Sequence, residues 1–449
     1  MRITAKHSYE SHYRKIAVEM IMAAVKNADP AAAVNNSVFI KNHILHVQNH
    51  QFPLSDYKKI FLFGMGKAAA SMCRAFERIL WPDDGLVITK KGDEIDEVEV
   101  ESIPVYQAFH PKPREENLVY SNKILEKISS ICPEDKALVI LMISGGGSAL
   151  FEALPKGITI EELSILNEHL IKCGAPIDDI NTIRKHVSKI KGGRFGKLVS
   201  DRGGTVISLI FSDVIGDDLS VIASGPTYTD NTTFKDAINL LQQYKIWEKT
   251  PSSIKQYLKL GLKSPDLKAI KEIPVGVYNY LIGSNQTALI AAKEVALNYG
   301  FNAYILTGQN KGEAKEVAKA VMAVAREIQD TNNPFSPPAA LILGGEMTVK
   351  FAKGVSKGPG GPNREFVLSS AIEIKGRQNI VVAAADTDGR DGQGKSGAIA
   401  DGNSVFRCKL DPYKCLTAHN SQEFFDVIDD SLEFTSSTNV NDIIVVLVG

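Results

Sequence analysis

Apolar residues recur in two patterns that alternate along this chain. Short continuous apolar runs, of which residues 137–143 (ALVILMI) are the clearest, predict buried strands, because a strand covered on both faces has no polar side. Longer stretches with apolar residues every three or four positions, such as residues 117–131, predict helices. Strands that alternate with helices predict a mostly parallel sheet with helices on both faces.

The alternation occurs twice, which predicts two α/β domains. Residues 1–245 predict an N-terminal Rossmann-like domain with a mostly parallel sheet, and residues 275–449 predict a smaller α/β domain. Residues 246–274 are polar and predict a helical connection between the two. A chain of 449 residues agrees with this division, because single cores rarely grow beyond about 300 residues.

Composition and charge then exclude several classes of protein. A hydrophobic content of 44% and a formal net charge of −1 give no global reason to expect nucleic acid as a partner. We expect no membrane partner, because no apolar run approaches the ~20 residues of a membrane span. The amino terminus lacks the apolar stretch of a signal peptide, and the five cysteines form no CxxC pair. We therefore expect a cytoplasmic globular protein.

The first candidate site follows the predicted strand at residues 59–64. Gly64, Gly66 and Ala69 form a GxGxxA pattern, which in dinucleotide-binding proteins requires an acidic residue after the next strand. Lys90 stands there, so NAD fits poorly. Lys67 begins the following helix and opposes its dipole unless an anion lies between them. A phosphate contact for Lys67 and a purely structural turn both stay open.

The second candidate site is the sequence Ser144-Gly145-Gly146-Gly147-Ser148, directly after the buried run at 137–143. Consecutive glycines cost chain entropy on folding, and a common reason for them is a backbone nest around phosphate oxygens. The sequence is not a Walker A loop, because no lysine followed by serine or threonine closes it.

Carboxylates follow two further predicted strands. Asp213 comes after residues 205–211, where a carboxylate can bind Mg²⁺ through water or accept a hydroxyl proton. Asp386 and Asp388 come after residues 379–385 and predict a partial Mg²⁺ site shared with substrate phosphates. An ordinary Asp-Gly turn is the alternative for this pair.

Basic and amide residues complete the candidate set. The segment 357–366 contains three glycines and two prolines, which predicts a stiff loop that presents Asn363 and Arg364 to an anion. A basic stretch with helical spacing contains Arg184, Lys185 and Lys189, which are candidates for binding an anion. The alternative is that these residues form a solvated helix face. The turn formed by Gly283, Ser284 and Asn285 either binds a nucleotide or caps a helix.

Glycine turns, cations and carboxylates at the same edge of α/β sheets are what phosphoryl transfer requires. With the motifs FGMGKAA, SGGGSAL, INTIRKHVSKIKGG, SDVIGDD, IGSN, GPGGPNRE and DTDGRDG, the chain resembles the ATP-dependent glycerate 2-kinases, whose C-terminal part is the MOFRL domain. The resemblance implies transfer of the ATP γ-phosphate to the 2-hydroxyl of D-glycerate, with Mg²⁺ or another divalent cation, in a cleft between the two domains.

The resemblance also assigns roles to residues. Lys67, Arg364 and Asp213 are then catalytic, and Asp386 and Asp388 bind metal. The remaining assignments are to ATP or phosphate (Ser144, Gly145, Gly146, Gly147, Ser148, Gly283, Ser284, Asn285 and Lys189) and to substrate (Arg184, Lys185 and Asn363).

Two other classes of function stay open. A nicotinamide-dependent oxidoreductase acting on a hydroxy acid rests on the GxGxxA pattern alone, and Lys90 argues against it. A non-catalytic sugar-phosphate sensor rests on the turn at residues 283–285. The sequence does not decide the oligomeric state, and a homodimer is one option.

Overall fold

The computed structural model describes residues 11–92, 99–264, 267–351, 358–436 and 438–449. The chain forms two compact units. Residues Pro30–Ile282 form the N-terminal unit, and the segment up to Asp29 joins Gly283–Gly449 in the C-terminal unit. This division differs from the predicted ranges 1–245, 246–274 and 275–449, because the first helix, α1 (His12–Asn27), packs with the C-terminal half of the chain.

The position of α1 follows from its buried face. Ile16, Met20 and Ala24 lie one turn apart on that face and are fully buried. Arg14, on the same helix, is also buried and pairs with Asp401 at 2.6 Å and with Asp430. Since Asp401 and Asp430 belong to the C-terminal unit, an apolar face and an ion-pair cluster both attach α1 there.

The N-terminal unit is built on a six-stranded sheet with the strand order β6-β5-β4-β7-β8-β9. The five strands from β6 to β8 in this order are parallel. This order corresponds to that of the doubly wound dinucleotide-binding fold, so the α/β, Rossmann-like prediction is confirmed. A small antiparallel sheet, β1-β2-β3, precedes it in the chain. The strands are β1 (Val38–Lys41), β2 (Ile44–Val47), β3 (His50–Pro53), β4 (Lys59–Met65), β5 (Asp84–Lys90), β6 (Val105–Ala108), β7 (Ala137–Ile143), β8 (Thr205–Phe211) and β9 (Val277–Gly283).

Helices cover this sheet and build a second apolar cluster beside it. Strand β7 is buried along its whole length, as its continuous apolar sequence predicts. The segment predicted as a helical connection, 246–274, contributes α10 to the second cluster and so lies inside the N-terminal unit. The helices are α2 (Pro30–Ser37), α3 (Ala69–Glu77), α4 (Glu115–Ser129), α5 (Gly147–Leu150), α6 (Ile160–Lys172), α7 (Ile177–Lys185), α8 (Arg194–Ser200), α9 (Phe234–Gln243) and α10 (Ser252–Gly261).

The C-terminal unit has a mixed six-stranded sheet with the order β10-β11-β15-β12-β13-β14. Strands β10 and β11 are parallel, whereas β15 runs antiparallel to both β11 and β12. The last strand of the chain, β15, therefore lies in the middle of this sheet. The strands are β10 (Asn302–Asn310), β11 (Ala339–Gly345), β12 (Ile380–Asp386), β13 (Gly397–Asp401), β14 (Ser431–Leu432) and β15 (Asp442–Val448).

Six further helices belong to this unit in the described part of the chain. Helix α13 begins at Pro362, so residues 362–366 of the predicted loop are helical instead, because proline fits the first turn of a helix. Lys357, at the start of that predicted loop, lies outside the described residues. No helix in the described part of the chain is both long and apolar enough to cross a membrane. The helices are α11 (Asn285–Asn298), α12 (Ala314–Thr331), α13 (Pro362–Glu373), α14 (Ser404–Arg407), α15 (Pro412–Thr417) and α16 (Ser421–Val427).

Candidate functional site

Two turns meet at the carboxyl edge of the N-terminal sheet, at the point where its strand order reverses. One turn follows β4 and contains Gly66 and Lys67, and the other follows β7 and begins at Ser144. The amide of Lys67 donates to the carbonyl oxygen of Gly145 at 2.9 Å, and the amide of Ala68 donates to Ser144 Oγ at 3.0 Å. Ligands of open α/β sheets bind at such a reversal point. The fold therefore joins the first two predicted sites into one.

The turn after β7 has unused backbone donors. Gly146 has a φ of +84°, which residues other than glycine rarely adopt. The amides of Gly145 and Gly146 donate no hydrogen bond to any residue that the structure describes. Two successive free amides in such a turn form the kind of concave nest that holds anionic oxygens. Gly147 begins α5, and Ser148 Oγ lies 2.8 Å from Ser224 Oγ.

Three side chains border this glycine turn. Asp213, just beyond β8, lies against Gly145, where an added β-carbon would clash with its carboxylate. A β-carbon on Gly146 would lie 3.2 Å from His110 Cδ2 and 3.4 Å from Lys67 Cγ. The side chains of Lys67, His110 and Asp213 thus border the glycine turn. The sequence alone gives no role to His110, because its contact with Gly146 arises only when β6 and β7 enter one sheet.

A cavity of about 460 Å³ adjoins the glycine turn. Its volume lies within the range of about 300–1,000 Å³ that is typical of small-molecule sites. His110 and Asp213 line the cavity from the sheet edge, Asn167 lines it from α6, and Asn181 and Arg184 line it from α7. The cavity therefore has a cationic and amide-rich wall opposite the turn of the sheet.

Arg184 is the candidate with an open hydrogen-bonding fork. Its Nε donates to Asn167 Oδ1 at 2.7 Å, which fixes the plane of the guanidinium. Neither terminal nitrogen donates to another residue within the described ranges, and the side chain lines the cavity. Burial lowers the pKa of Arg184, and Glu152 opposes that shift, but a guanidinium stays charged in proteins. Asn167 was not predicted, since nothing in its sequence context distinguishes it from other polar residues of an amphipathic helix.

The two lysines predicted beside Arg184 lie elsewhere. Helix α7 ends at Lys185, so the predicted helical face shared with Lys189 does not form. The Lys185 ammonium is buried and lies 3.5 Å from Asp230 Oδ1, which neutralises it. Lys189 is exposed, outside the residues that line the cavity. The substrate and phosphate roles predicted for these lysines therefore have no support in this geometry.

Backbone strain lies against the glycine turn. Ala223 and Ser224 have φ values of 49° and 61°, a left-handed conformation that residues with a β-carbon rarely adopt. Ala223 lines the cavity, and a β-carbon on Gly147 would lie 2.8 Å from Ala223 Cβ. Strain of this kind often accompanies functional sites. It was not predictable, because alanine carries no sequence signal for a left-handed conformation.

Arg364, the predicted catalytic arginine, is fully buried in the C-terminal unit. Its Nε donates to Asp391 Oδ2 at 3.0 Å, Nη1 donates to Gln422 Oε1 at 2.7 Å, and Nη2 donates to the carbonyl oxygens of Pro359 and Asp391. These contacts occupy the guanidinium and hold the glycine-rich loop against the chain. The contacts that the structure shows for Arg364 are thus with the protein itself, and its predicted catalytic role stays a prediction.

Asn363 and Asp386, two further residues of the predicted site, lie beside Asp442 in the C-terminal unit. Asn363 is fully buried, and its Nδ2 donates to Asp442 Oδ1 at 2.5 Å. Burial, with Asp388 and Asp442 next in effect, raises the pKa of Asp386 well above its ordinary value. Burial also raises the pKa of Asp442 to about 7. Asp442 was not predicted, because it meets Asp386 only through the pairing of the last strand.

The turn at residues 283–285 has a structural task in the C-terminal unit. Ser284 occupies the N-cap position of α11 without a side-chain capping bond. The Asn285 Nδ2 donates to the carbonyl oxygens of Val440 and Asp442 at 2.6 and 3.0 Å. These bonds tie the start of α11 to β15. Gly283 ends β9, and the nucleotide role predicted for Gly283, Ser284 and Asn285 stays a prediction.

No three His, Cys, Asp or Glu side chains converge as a metal site within the described residues. Asp386 and Asp388 therefore form at most a pair of carboxylate ligands. A pair is compatible with Mg²⁺, which usually keeps several waters and binds one or two carboxylates together with substrate phosphates.

Comparison with known proteins places the chain among relatives that span its whole length. Residues 16–259 match the family described as "Domain of unknown function (DUF4147)", and residues 339–442 match the MOFRL family. The chain is 40% identical over 442 residues to the glycerate 2-kinase of Pyrococcus horikoshii, with 97% of each chain covered. It is 34% identical over 444 residues to an Agrobacterium vitis protein named "Putative hydroxypyruvate reductase", covering 97% of this chain and 94% of the relative.

A solved structure supports the same relationship. The crystal structure of glycerate kinase from Thermotoga maritima superposes with a TM-score of 0.85 at 34% sequence identity. The alignment covers 97% of this chain and 99% of that one.

Proposed function

The chain belongs to the glycerate 2-kinase family, and from this premise we propose that it transfers the γ-phosphate of ATP to the 2-hydroxyl of D-glycerate. The products are 2-phospho-D-glycerate and ADP. The observation that carries the proposal is the joined turn at the reversal point of the N-terminal sheet. There Lys67 and Asp213 border the turn with the amides of Gly145 and Gly146. Gly146 and Asp213 also line the cavity, together with Arg184.

The glycine turn is the proposed phosphate end of the site. The amides of Gly145 and Gly146 and the ammonium of Lys67 are donors aimed at phosphate oxygens, whose negative charge they offset during transfer. Donors that are fixed before the reaction need no reorganisation in the transition state. Ser148 is held beside the same turn by its hydroxyl contact with Ser224.

The cavity is the proposed acceptor end. A guanidinium fork matches the two oxygens of a carboxylate, so Arg184 binds the glycerate carboxylate through its terminal nitrogens. This contact orients the 2-hydroxyl toward Asp213 at the sheet edge. Asp213 accepts the hydroxyl proton as the new O–P bond forms and the bond from the γ-phosphorus to the bridging oxygen of ADP breaks.

A divalent cation is the proposed cofactor. The donor set fits such an ion, because Asp386 and Asp388 are hard oxygen ligands with no basic partner within the described residues. The pKa of Asp386 is raised first by burial and then by the neighbouring carboxylates of Asp388 and Asp442. When bound, the ion neutralises phosphate charge. Glycerate and ATP are the proposed small-molecule partners.

The direct test is to incubate the purified full chain with Mg-ATP and D-glycerate and to identify the product by NMR. We expect 2-phosphoglycerate, and formation of 3-phosphoglycerate alone would contradict the assigned acceptor hydroxyl. Lys67→Ala and Arg184→Ala should lose most of the activity. Lys197→Ala is the matched control, because Lys197 is an exposed lysine of the same unit that pairs only with Asp201.

The name of the Agrobacterium relative makes a reductase the rival function. Strand β5 ends at Lys90, so the position that would hold a ribose hydroxyl in a dinucleotide site has no carboxylate. Hydroxypyruvate with NADH or NADPH is the matching assay. Consumption of the nicotinamide cofactor without phosphoglycerate formation from Mg-ATP would overturn the kinase proposal.

A further inference from the structure

Asp386 and Asp442 face each other at one edge of the C-terminal sheet. Asp386 is the last residue of β12, Asp442 is the first residue of β15, and the two are direct partners in the antiparallel register. Directly opposed residues of an antiparallel pair project to the same face with their β-carbons about 5 Å apart. Two carboxylates are therefore adjacent on one face of the sheet.

An amide oxygen without a partner accompanies these carboxylates. Asn363 Nδ2 donates to Asp442 Oδ1 at 2.5 Å and to Asp391 Oδ1 at 3.4 Å. Because ionised carboxylates only accept hydrogen bonds, these contacts fix which end of the amide is nitrogen. The other end, Asn363 Oδ1, is fully buried and has no hydrogen-bond partner among the residues that the structure describes. It belongs to the same amide that contacts Asp442, so it lies beside that carboxylate.

No basic side chain in the described part of the chain offsets the charge of this group. No Lys, Arg or His of the described ranges forms an ion pair with Asp386, Asp388 or Asp442. Arg364, the basic residue of α13, forms an ion pair with Asp391 instead. Asp442 Oδ2 accepts one hydrogen bond, from the backbone amide of Met347 at 2.8 Å. Oxygen acceptors thus outnumber donors on this side of the sheet.

We propose that Asp386 and Asp442 bind one divalent cation, with the side-chain oxygen of Asn363 as the third protein ligand. Two carboxylates and one amide oxygen form a hard ligand set that suits Mg²⁺ or Mn²⁺ and leaves positions for water and phosphate. The ion's role in phosphoryl transfer rests on the proposed kinase function, whereas its binding does not.

The test titrates the full chain with MnCl₂ alone, without ATP or glycerate, and follows the signal of free Mn²⁺ by electron paramagnetic resonance. We expect one Mn²⁺ per chain, and affinity at least about tenfold weaker in Asp442→Asn and in Asp386→Asn. The matched control is Glu316→Gln, which removes an exposed carboxylate of α12 in the same unit and should keep affinity within about threefold of wild type. Circular dichroism verifies the fold of each variant.

The proposal fails if the wild-type chain retains no Mn²⁺, or if Asp386→Asn binds Mn²⁺ like wild type. Asp386 is only partly buried, so that variant keeps the test decisive should Asp442→Asn not fold. The kinase assay separates the two proposals. Mn²⁺ binding without phosphoglycerate formation overturns the kinase function alone, and phosphoglycerate formation without a Mn²⁺ site overturns this inference alone.

Discussion

The contact between Gly145 and Asp213 offers a sharp test of the proposed active site. An alanine at residue 145 adds one β-carbon directly onto the Asp213 carboxylate. Even the farther carboxylate oxygen, Oδ1, would lie only 3.0 Å from that carbon, and the rest of the group would lie closer. The backbone at residue 145 is not left-handed, so alanine adopts it without backbone strain and the change acts through Asp213.

The size of the effect follows from the displacement. The carboxylate of Asp213 must move by about 1 Å or more to relieve the clash, because the added β-carbon and a neighbouring heavy atom are in normal contact only at about 3.5 Å. A misplacement of that size costs about 100-fold in rate, which is about 2.7 kcal/mol of transition-state stabilisation. Overpacking costs typically about 1–3 kcal/mol of stability, partly offset by the lower chain entropy of unfolded alanine.

We therefore expect Gly145→Ala to lose about 100-fold in kcat/KM for D-glycerate while it stays folded at the assay temperature. A coupled ADP-release assay measures the rate, and differential scanning fluorimetry measures Tm. Gly308→Ala is the control, because its added β-carbon comes no closer than 3.3 Å to any neighbour. If Gly145→Ala retains kcat/KM within about threefold of wild type, the placement of Asp213 is not needed for the reaction.

Three further predictions concern basic side chains that are buried or line the cavity. Arg184→Ala should raise the KM for D-glycerate by about 10- to 100-fold, and Arg184→Lys should recover only part of this, because it keeps the charge without the fork. Unaltered KM in both would contradict a carboxylate contact. Arg364→Ala should destabilise the chain by about 3–5 kcal/mol, measured by urea unfolding, because it leaves Asp391 buried without its partner; a loss below about 1 kcal/mol would refute this. Burial lowers the pKa of His186 below its ordinary 6.5, so the folded state binds fewer protons than the unfolded state and Tm should fall as pH drops below about 6.5. His186→Phe should lack that part of the pH dependence.

The residues of the candidate site could be predicted where they follow a strand directly in the sequence. Gly145, Gly146, Lys67 and Asp213 each come within a few residues of a continuous apolar run, and parallel strands bring their carboxyl ends to one edge. The alternation of apolar runs and amphipathic stretches is local, so it predicts the elements and the α/β class without knowledge of the fold. The family resemblance rests on the same local motifs.

The partner of each charged side chain was not predictable, because it depends on residues far away in the chain. Arg364 has the sequence context of an anion-binding arginine, yet Asp391 and Gln422 occupy its guanidinium. Arg184 is embedded in a basic stretch that suggests solvent, yet Asn167 orients it in a cavity.

The sequence by itself determined the fold class, the family and the turns that line the edge of the N-terminal sheet, because these depend on neighbouring residues and their periodicity. Only the tertiary structure decided that α1 joins the C-terminal unit and that β15 places Asp442 opposite Asp386. It also decided that Asp391 and Gln422 engage the guanidinium of Arg364, whereas the terminal nitrogens of Arg184 have no partner among the described residues. The physical reason is the same in each case: burial and hydrogen bonding are settled between segments that the chain brings together only when it folds.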